Sequence, residues 1–388
     1  MSSYLPVPTA TAPPSFAVAP AMRPHGPSTL AVLAWVGFGL LAAVTGAITV
    51  LLITLSTGLG GLAVGSLLAL IPVAPLMAFY LWLDRYEREP PSLLTFAFIW
   101  GAAVASFAAL VLNTASDYAL VSAGRDASAT AVAVAPFVEE LFKGLAVLLV
   151  FLVRRHEFDG VVDGLVYAGM VGMGFAFVEN ILYLGTAMAE QGAGGLTRTF
   201  IIRCVFAPFA HPMFTSATGI GIGVAARSRN VATRICAPIG GYLAAVGLHA
   251  LWNFSAGLGS SFFLLYLVVQ VPLFTAYIVL AVLSTRREAR LITRHMSAYA
   301  AVGWLASGDA AMLGSMRVRR QARAWAARVA GPNGAVRMRR FQALATELAF
   351  LRERIARGTA GPRAQEQEYA SLLGIAHLRA TLPPLGVR

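Results

Sequence analysis

Apolar positions dominate the first three quarters of the chain and fall into long runs near 29–55, 59–82, 92–113, 129–153, 160–186, 199–224, 235–256 and 260–284. Each run reaches the ~20 residues that a helix needs to cross a ~30 Å hydrocarbon core. Only short polar stretches separate them. The pattern predicts an all-α fold: a polytopic transmembrane helix bundle of about eight spans, followed by a basic, helical C-terminal cytoplasmic tail. Thr57-Gly58-Leu59-Gly60-Gly61 breaks the apolar pattern between the first two runs and predicts a tight helical hairpin there.

Composition agrees with this class. The 388 residues are 57% hydrophobic and 12% charged, with a mean hydropathy of +0.70, which excludes an ordinary soluble domain. Cys204 and Cys236 give no disulfide framework. Residues 1–28 hold seven prolines, one arginine and no acid, and read as a disordered leader. The formal charge of +12 lies wholly beyond residue 284, where 18 arginines face 6 acids; residues 1–284 hold 12 basic and 12 acidic residues. Three parts follow: the leader 1–28, a transmembrane domain 29–284 and a basic tail 285–388.

Arginine also orients the bundle. One set of short loops carries Arg85 and Arg88, then Arg154 and Arg155, then Arg227, Arg229 and Arg234; the other carries only Arg125 and Arg198. By the positive-inside rule the first set is cytoplasmic, and eight spans place both termini and the basic tail on that side. In the tail, segments near 285–306, 310–329 and 334–357 have helical propensity, broken at Gly331-Pro332-Asn333-Gly334. Its interleaved arginines suit attachment to anionic lipid or to a cytoplasmic protein; nucleic acid has only charge in its favour. The abundance of arginine and alanine fits a bacterial source and a bacterial cytoplasmic membrane.

Polar residues inside the apolar runs are the chemistry to explain. Lys143 is the only lysine and lies in Glu139-Glu140-Leu-Phe-Lys143, within an apolar run. Each ionisable group at membrane depth is costly, by roughly 2.5–3.5 kcal/mol on insertion scales. Lys143 follows the two glutamates by four and three residues, so it shares their helix face. The next run carries Glu179 and Asn180, the one after it Arg203, His211 and Thr215, and the last of the four His249 and Asn253. At 1.5 Å per residue, Glu139, Glu140, Glu179, His211 and His249 all fall in one slab between the midplane and the outer leaflet.

These residues in this order resemble the PrsW family of intramembrane proteases, within the wider group that includes CAAX prenyl endopeptidases. The resemblance runs from Asp84 to Asn253. It covers Asp84-Arg-Tyr-Glu87-Arg-Glu89-Pro90, Glu139-Glu140-x-x-Lys143, Phe175-x-x-x-Glu179-Asn180, His211 and His249-x-x-x-Asn253. Thr215 stands where the wider group often has an asparagine. The resemblance implies hydrolysis of peptide bonds in or near the membrane, with single-pass membrane proteins such as anti-sigma factors as substrates; the prenyl-protease relatives cut after a lipidated cysteine instead.

Hydrolysis needs a base for water and donors for the oxyanion. The expected site is Glu139, Glu140, Lys143, Glu179, Asn180, His211, His249 and Asn253. Glu140 is assigned as the base, although spacing does not separate it from Glu139. His211 assists proton transfer, His249 and Asn253 stabilise the oxyanion, Glu139 and Lys143 orient the pair, and Glu179 fixes a histidine tautomer. No cofactor is favoured, because HExxH is absent and the histidines lie on different helices. The alternative is a divalent metal, zinc, held by residues from Glu140, Glu179, His211 and His249. A proton-coupled transporter would use the same intramembrane groups, but it should show an internal repeat, and none is visible.

Overall fold

The computed structural model describes residues 28–126, 130–155 and 158–382. The expected leader therefore lies outside the described residues except for Ser28, whose hydroxyl caps the first helix through the Ala31 amide. Among the described residues the chain is helical and has no strand. The membrane-type helices are α1 (Thr29–Leu83), α2 (Pro91–Ser122), α3 (Ala135–Val153), α4 (Val161–Phe200), α5 (Ala210–Ala226), α6 (Val231–Ala256) and α7 (Val271–Ala301). The tail adds α8 (Ser307–Leu313), α9 (Met316–Arg357) and α10 (Ala364–Ala380).

Five helical stretches are long and apolar enough to cross a membrane by length and composition: Thr29–Leu83, Pro91–Ser122, Val161–Ala226, Val231–Ala256 and Gly259–Ala301. They take up seven of the eight apolar runs, and the charged α3 takes the remaining one. Two of the five turn back on themselves. In α1 the reversal is at Gly58, with φ 72° and ψ 169°. Phe38 on its first arm packs against Phe96 of α2 with ring centroids 4.5 Å apart, and the second arm ends at Leu83, close in sequence to the start of α2. Both arms therefore end together. The expected Thr57–Gly61 hairpin is thus present. In α4 the reversal is at Gly192, with φ 65° and ψ −157°. An added Cβ would meet nothing within 4 Å at either glycine, so dihedral angle and not space requires glycine there.

Small residues set how closely α4 is held. An ideal Cβ on Gly164 would lie 2.0 Å from the Gly219 carbonyl of α5, and one on Gly174 would lie 2.0 Å from the Phe98 carbonyl of α2. Backbones at that separation allow no side chain between them, which is how small residues tighten membrane helices. The core around them is formed by Tyr80, Leu165, Tyr167, Val171 and Phe214.

Asp84–Pro90, Arg154, Asp159 and Arg227 meet the tail at one end of the bundle, hereafter the basic end. Tyr86 donates to the Gly314 carbonyl at 3.2 Å, and Arg354 pairs with Asp159 at 2.7 Å. The tail has its own core of Tyr299, Phe341, Leu348 and Leu372. Residue 285 lies inside α7, which runs unbroken from the bundle into that core. Within α9 the expected break appears as a reversal at Gly331, with φ 65°.

Candidate active site

The site is assembled by α3, α4, α5 and α6, away from the basic end. On α3, helical spacing alone brings Lys143 Nζ to 2.7 Å from Glu140 Oε1 and 3.5 Å from Glu139 Oε2. All three residues are buried, Lys143 and Glu140 completely. The ammonium also lies 3.2 Å from His211 Nδ1 and 3.9 Å from the centroid of the Phe175 ring. Cut off from solvent, one ammonium thus meets two carboxylates, an imidazole and an aromatic face, which together replace its hydration.

Each histidine is held by a glutamate. His249 Nδ1 is 3.0 Å from Glu140 Oε1, and its Nε2 is 3.7 Å from Glu139 Oε2. The His249 ring stacks on Phe214. His211 Nε2 is 2.6 Å from Glu179 Oε2. An ammonium only donates, so His211 Nδ1 accepts from Lys143 and the N–H sits on Nε2, facing Glu179. Thr215 donates to Glu140 Oε2 at 3.0 Å. The threonine therefore does for Glu140 what an amide would do, where the wider group often has asparagine.

Sequence reasoning noted Arg203 but gave it no role. Across the Gly192 reversal its guanidinium ion-pairs with Glu179 and donates from Nε to Asn180 Oδ1 at 2.8 Å. The usable signal was an arginine inside an apolar run. Asn113 of α2, which no motif marked, donates to Glu139 Oε1 at 3.2 Å. Asn253 stands apart: its amide donates to the Ala131 carbonyl at 2.7 Å, holding the segment that leads into α3. Of the eight expected residues, Glu139, Glu140, Lys143, Glu179, His211 and His249 come together, Asn180 joins through Arg203, and Asn253 bonds instead to Ala131.

A charge count separates the glutamates. With all three carboxyls counted as ionised, they face two permanent cations, Lys143 and Arg203, and one negative charge is left over. Glu140 takes the short Lys143 contact, and Glu179 takes Arg203. The surplus sits on Glu139, whose neighbours are the Asn113 amide, the longer contact to Lys143 and the His249 ring.

Glu139, His211 and His249 also offer ligand atoms that all lie within 4.8 Å of one another, the one such group of three or more among the described residues. Two imidazoles and a carboxylate are a donor set for catalytic zinc. The carboxylate is Glu139, where the sequence pointed to Glu140 and Glu179, because those two are taken up by Lys143 and Arg203. The set fits a divalent cation with one exchange: both His211 nitrogens already have partners, so His211 must release one of them to bind it.

A helical membrane-type bundle with a buried carboxylate–imidazole site is the class that these features define. Residues 89–278 match the family described as PrsW family intramembrane metalloprotease, and this part of the chain is similar to that family. The chain is 32% identical over 156 residues to Protease PrsW of Geobacillus kaustophilus (strain HTA426), covering 40% of this chain and 63% of that protein. It is 29% identical over 153 residues to Protease PrsW of Clostridioides difficile (strain 630), covering 39% and 62%. Against Protease PrsW of Bacillus subtilis (strain 168) it is 29% identical over 113 residues, covering 29% and 50%. The chain thus spans less than two thirds of the length of these curated relatives. No solved structure matches it.

Proposed function

We propose that the chain is an intramembrane endopeptidase that hydrolyses peptide bonds in or near the span of single-pass membrane proteins, with anti-sigma factors the expected class. The observation that carries this reading is the surplus carboxylate of Glu139 beside two imidazoles, at a site where the other charges are matched. The family of residues 89–278 supports it.

In this reading the two glutamates exchange the roles suggested by sequence. Glu140 already accepts from Lys143, His249 and Thr215, so it is an orienting group. Glu139 has the free basicity to take a proton from water and pass it on toward the leaving amine. Glu140 accepts from His249 Nδ1–H and keeps its Nε2 turned toward Glu139. The water proton that Glu139 accepts passes to that Nε2, 3.7 Å away, which donates it in a hydrogen bond to the oxyanion before it goes on to the leaving amine. Arg203 keeps Glu179 ionised, and Glu179 holds His211. Asn253 positions the chain before α3 and is not a donor to the oxyanion.

The metal-dependent reading has the Glu139, His211 and His249 grouping in its favour. A divalent cation bound there would acidify water and polarise the scissile carbonyl. Glu140 and Glu179 would then orient its two histidines from behind.

The bundle is proposed to cross the membrane eight times, with its basic end, both termini and the tail in the cytoplasm of a bacterial cell. Residues 29–284 would then form the protease domain and residues 285–388 the tail. The test compares new protein N-termini in membranes of cells expressing the wild type or Glu139→Gln. Termini clustered near one span of a single-pass protein, lost in Glu139→Gln, are the expected result. Identical termini in both strains, with the variant folded and abundant, would remove the reading. Loss of cleavage on chelation, restored by one divalent metal, would favour the metal form.

A further inference from the structure

The basic end contains a second polar site that proteolysis does not use. A cleft of about 820 Å³ lies between the Asp84–Pro90 loop of the bundle and helices α9 and α10 of the tail. Its walls carry Arg88 from the loop and Arg319, Arg323 and Arg339 from the two arms of α9. None of these four forms an ion pair among the described residues.

Arg319 is only 4% exposed, yet its hydrogen-bond partners are neutral. Nε donates to the Leu313 carbonyl at 2.7 Å, and Nη2 donates to Thr346 Oγ1 at 2.8 Å. Burial lowers its pKa to about 10. A buried cation without a counter-charge is costly, so the arrangement asks for an anion. Arg323 and Arg339 approach each other across the Gly331 reversal, and burial, followed by the nearby charges of Arg339, Arg88 and Arg320, pushes the Arg323 guanidinium down in pKa.

The carboxyls in the walls do little to balance this. Glu89 accepts from the Tyr167 hydroxyl at 2.6 Å. Burial, with Asp159 and Asp163 nearby, raises the Glu87 carboxyl well above its usual range, so it tends to keep its proton. The wall thus holds three carboxyl groups, those of Glu87, Glu89 and Glu347, against seven guanidinium groups.

We propose that this cleft binds an anion carrying two or more phosphate groups and that the ligand bridges the bundle loop and the tail. Guanidinium forks match phosphate oxygens two at a time, and several forks converging on one cavity select for clustered phosphates. The volume lies within the range of small-molecule sites and exceeds the needs of a single phosphate. Such phosphates come either from a soluble nucleotide or polyphosphate, or from the headgroups of an anionic phospholipid. The inference does not depend on the proteolytic reading.

The test uses the full chain in nanodiscs of pure phosphatidylcholine, titrated with sodium tripolyphosphate and with ATP while thermal unfolding is followed. A parallel set of nanodiscs contains cardiolipin and receives no soluble phosphate. The cleft pair Arg323→Gln/Arg339→Gln is compared with Arg317→Gln/Arg340→Gln, which removes the same charge from exposed positions outside the cleft. Saturable stabilisation by tripolyphosphate or ATP, weakened about tenfold or more in the cleft pair alone, supports the site with a soluble ligand. Stabilisation by cardiolipin alone, lost in the cleft pair alone, supports it with a lipid headgroup. No stabilisation by any of the three, or equal loss in both pairs, overturns the proposal.

Discussion

The buried cluster and the basic end handle charge in opposite ways. In the cluster, three carboxyl groups, two cations and two imidazoles come from α3 to α6 and the segment that joins α4 to α5, and every one has a named partner within hydrogen-bond or ion-pair distance. At the basic end, arginines outnumber acids, and four of them form no ion pair among the described residues. The difference follows from solvent. Lipid offers a charge nothing, so an unpaired group there would be lost to protonation or unfolding. Water at the basic end covers most imbalances, and a shortage of partners is informative only where the side chain is also buried, as at Arg319.

The largest effect that tests this contrast is catalytic. Glu139→Gln should lower cleavage of a reporter substrate by about 10²- to 10⁴-fold, the usual scale for loss of an acid–base group, while thermal stability changes little. Glu140→Gln should also reduce cleavage, but with a clear loss of stability because Lys143 loses its short partner. Equal stability of the two variants would undo the assignment of separate roles. Next in size is Lys143→Met, which leaves Glu140 buried without a cation. It should destabilise the protein by about 3–5 kcal/mol in denaturation measured in detergent. Arg323→Gln, at an unpaired arginine of the basic end, should stay within about 0.5 kcal/mol in the same assay. Similar values for both would mean that the two regions do not differ as described.

Smaller effects sharpen the picture. Gly192→Ala should cost about 1–3 kcal/mol through its dihedral angles alone, since nothing crowds the added methyl. Last comes pH. Burial raises the Asp84 carboxyl from its ordinary 3.8 to about 7. A raised carboxyl favours the folded state while protonated, so its contribution is complete below about pH 4 and is lost as pH rises to about 7. Asp84→Asn keeps an acceptor for the Glu89 amide and should flatten that part of the stability–pH curve.

Features that depend on neighbours in sequence were legible before the structure. The Glu139–Glu140–Lys143 contacts follow from helical spacing. The reversals at Gly58 and Gly331 follow from glycine interrupting a helical pattern, and the apolar runs from length. What sequence could not supply was the partner across space. Arg203 reaches Glu179 and Asn180 only because α4 folds back at Gly192, and the division between Glu139 and Glu140 depends on which carboxylate faces Thr215 of α5. Asn253 shares a helix face with His249, but the loop before α3 claims its amide. Helix α10 was missed because Glu368, Leu372 and Ile375 show helical spacing only over a short stretch after Gly361-Pro362.

Helix α7 has a mechanical consequence. Its 31 residues make a continuous rod of about 46 Å. Near its bundle end, the Tyr277 hydroxyl is 2.6 Å from that of Tyr80 and 3.2 Å from Ser216, the neighbour of Thr215. Near its other end, Tyr299 is locked to Glu368 of the tail. A rod gripped at both ends transmits tilt and torque without needing a relay of loosely coupled parts. Any swing of the tail about the basic end therefore bears directly on the hydroxyl contacts one residue away from the site.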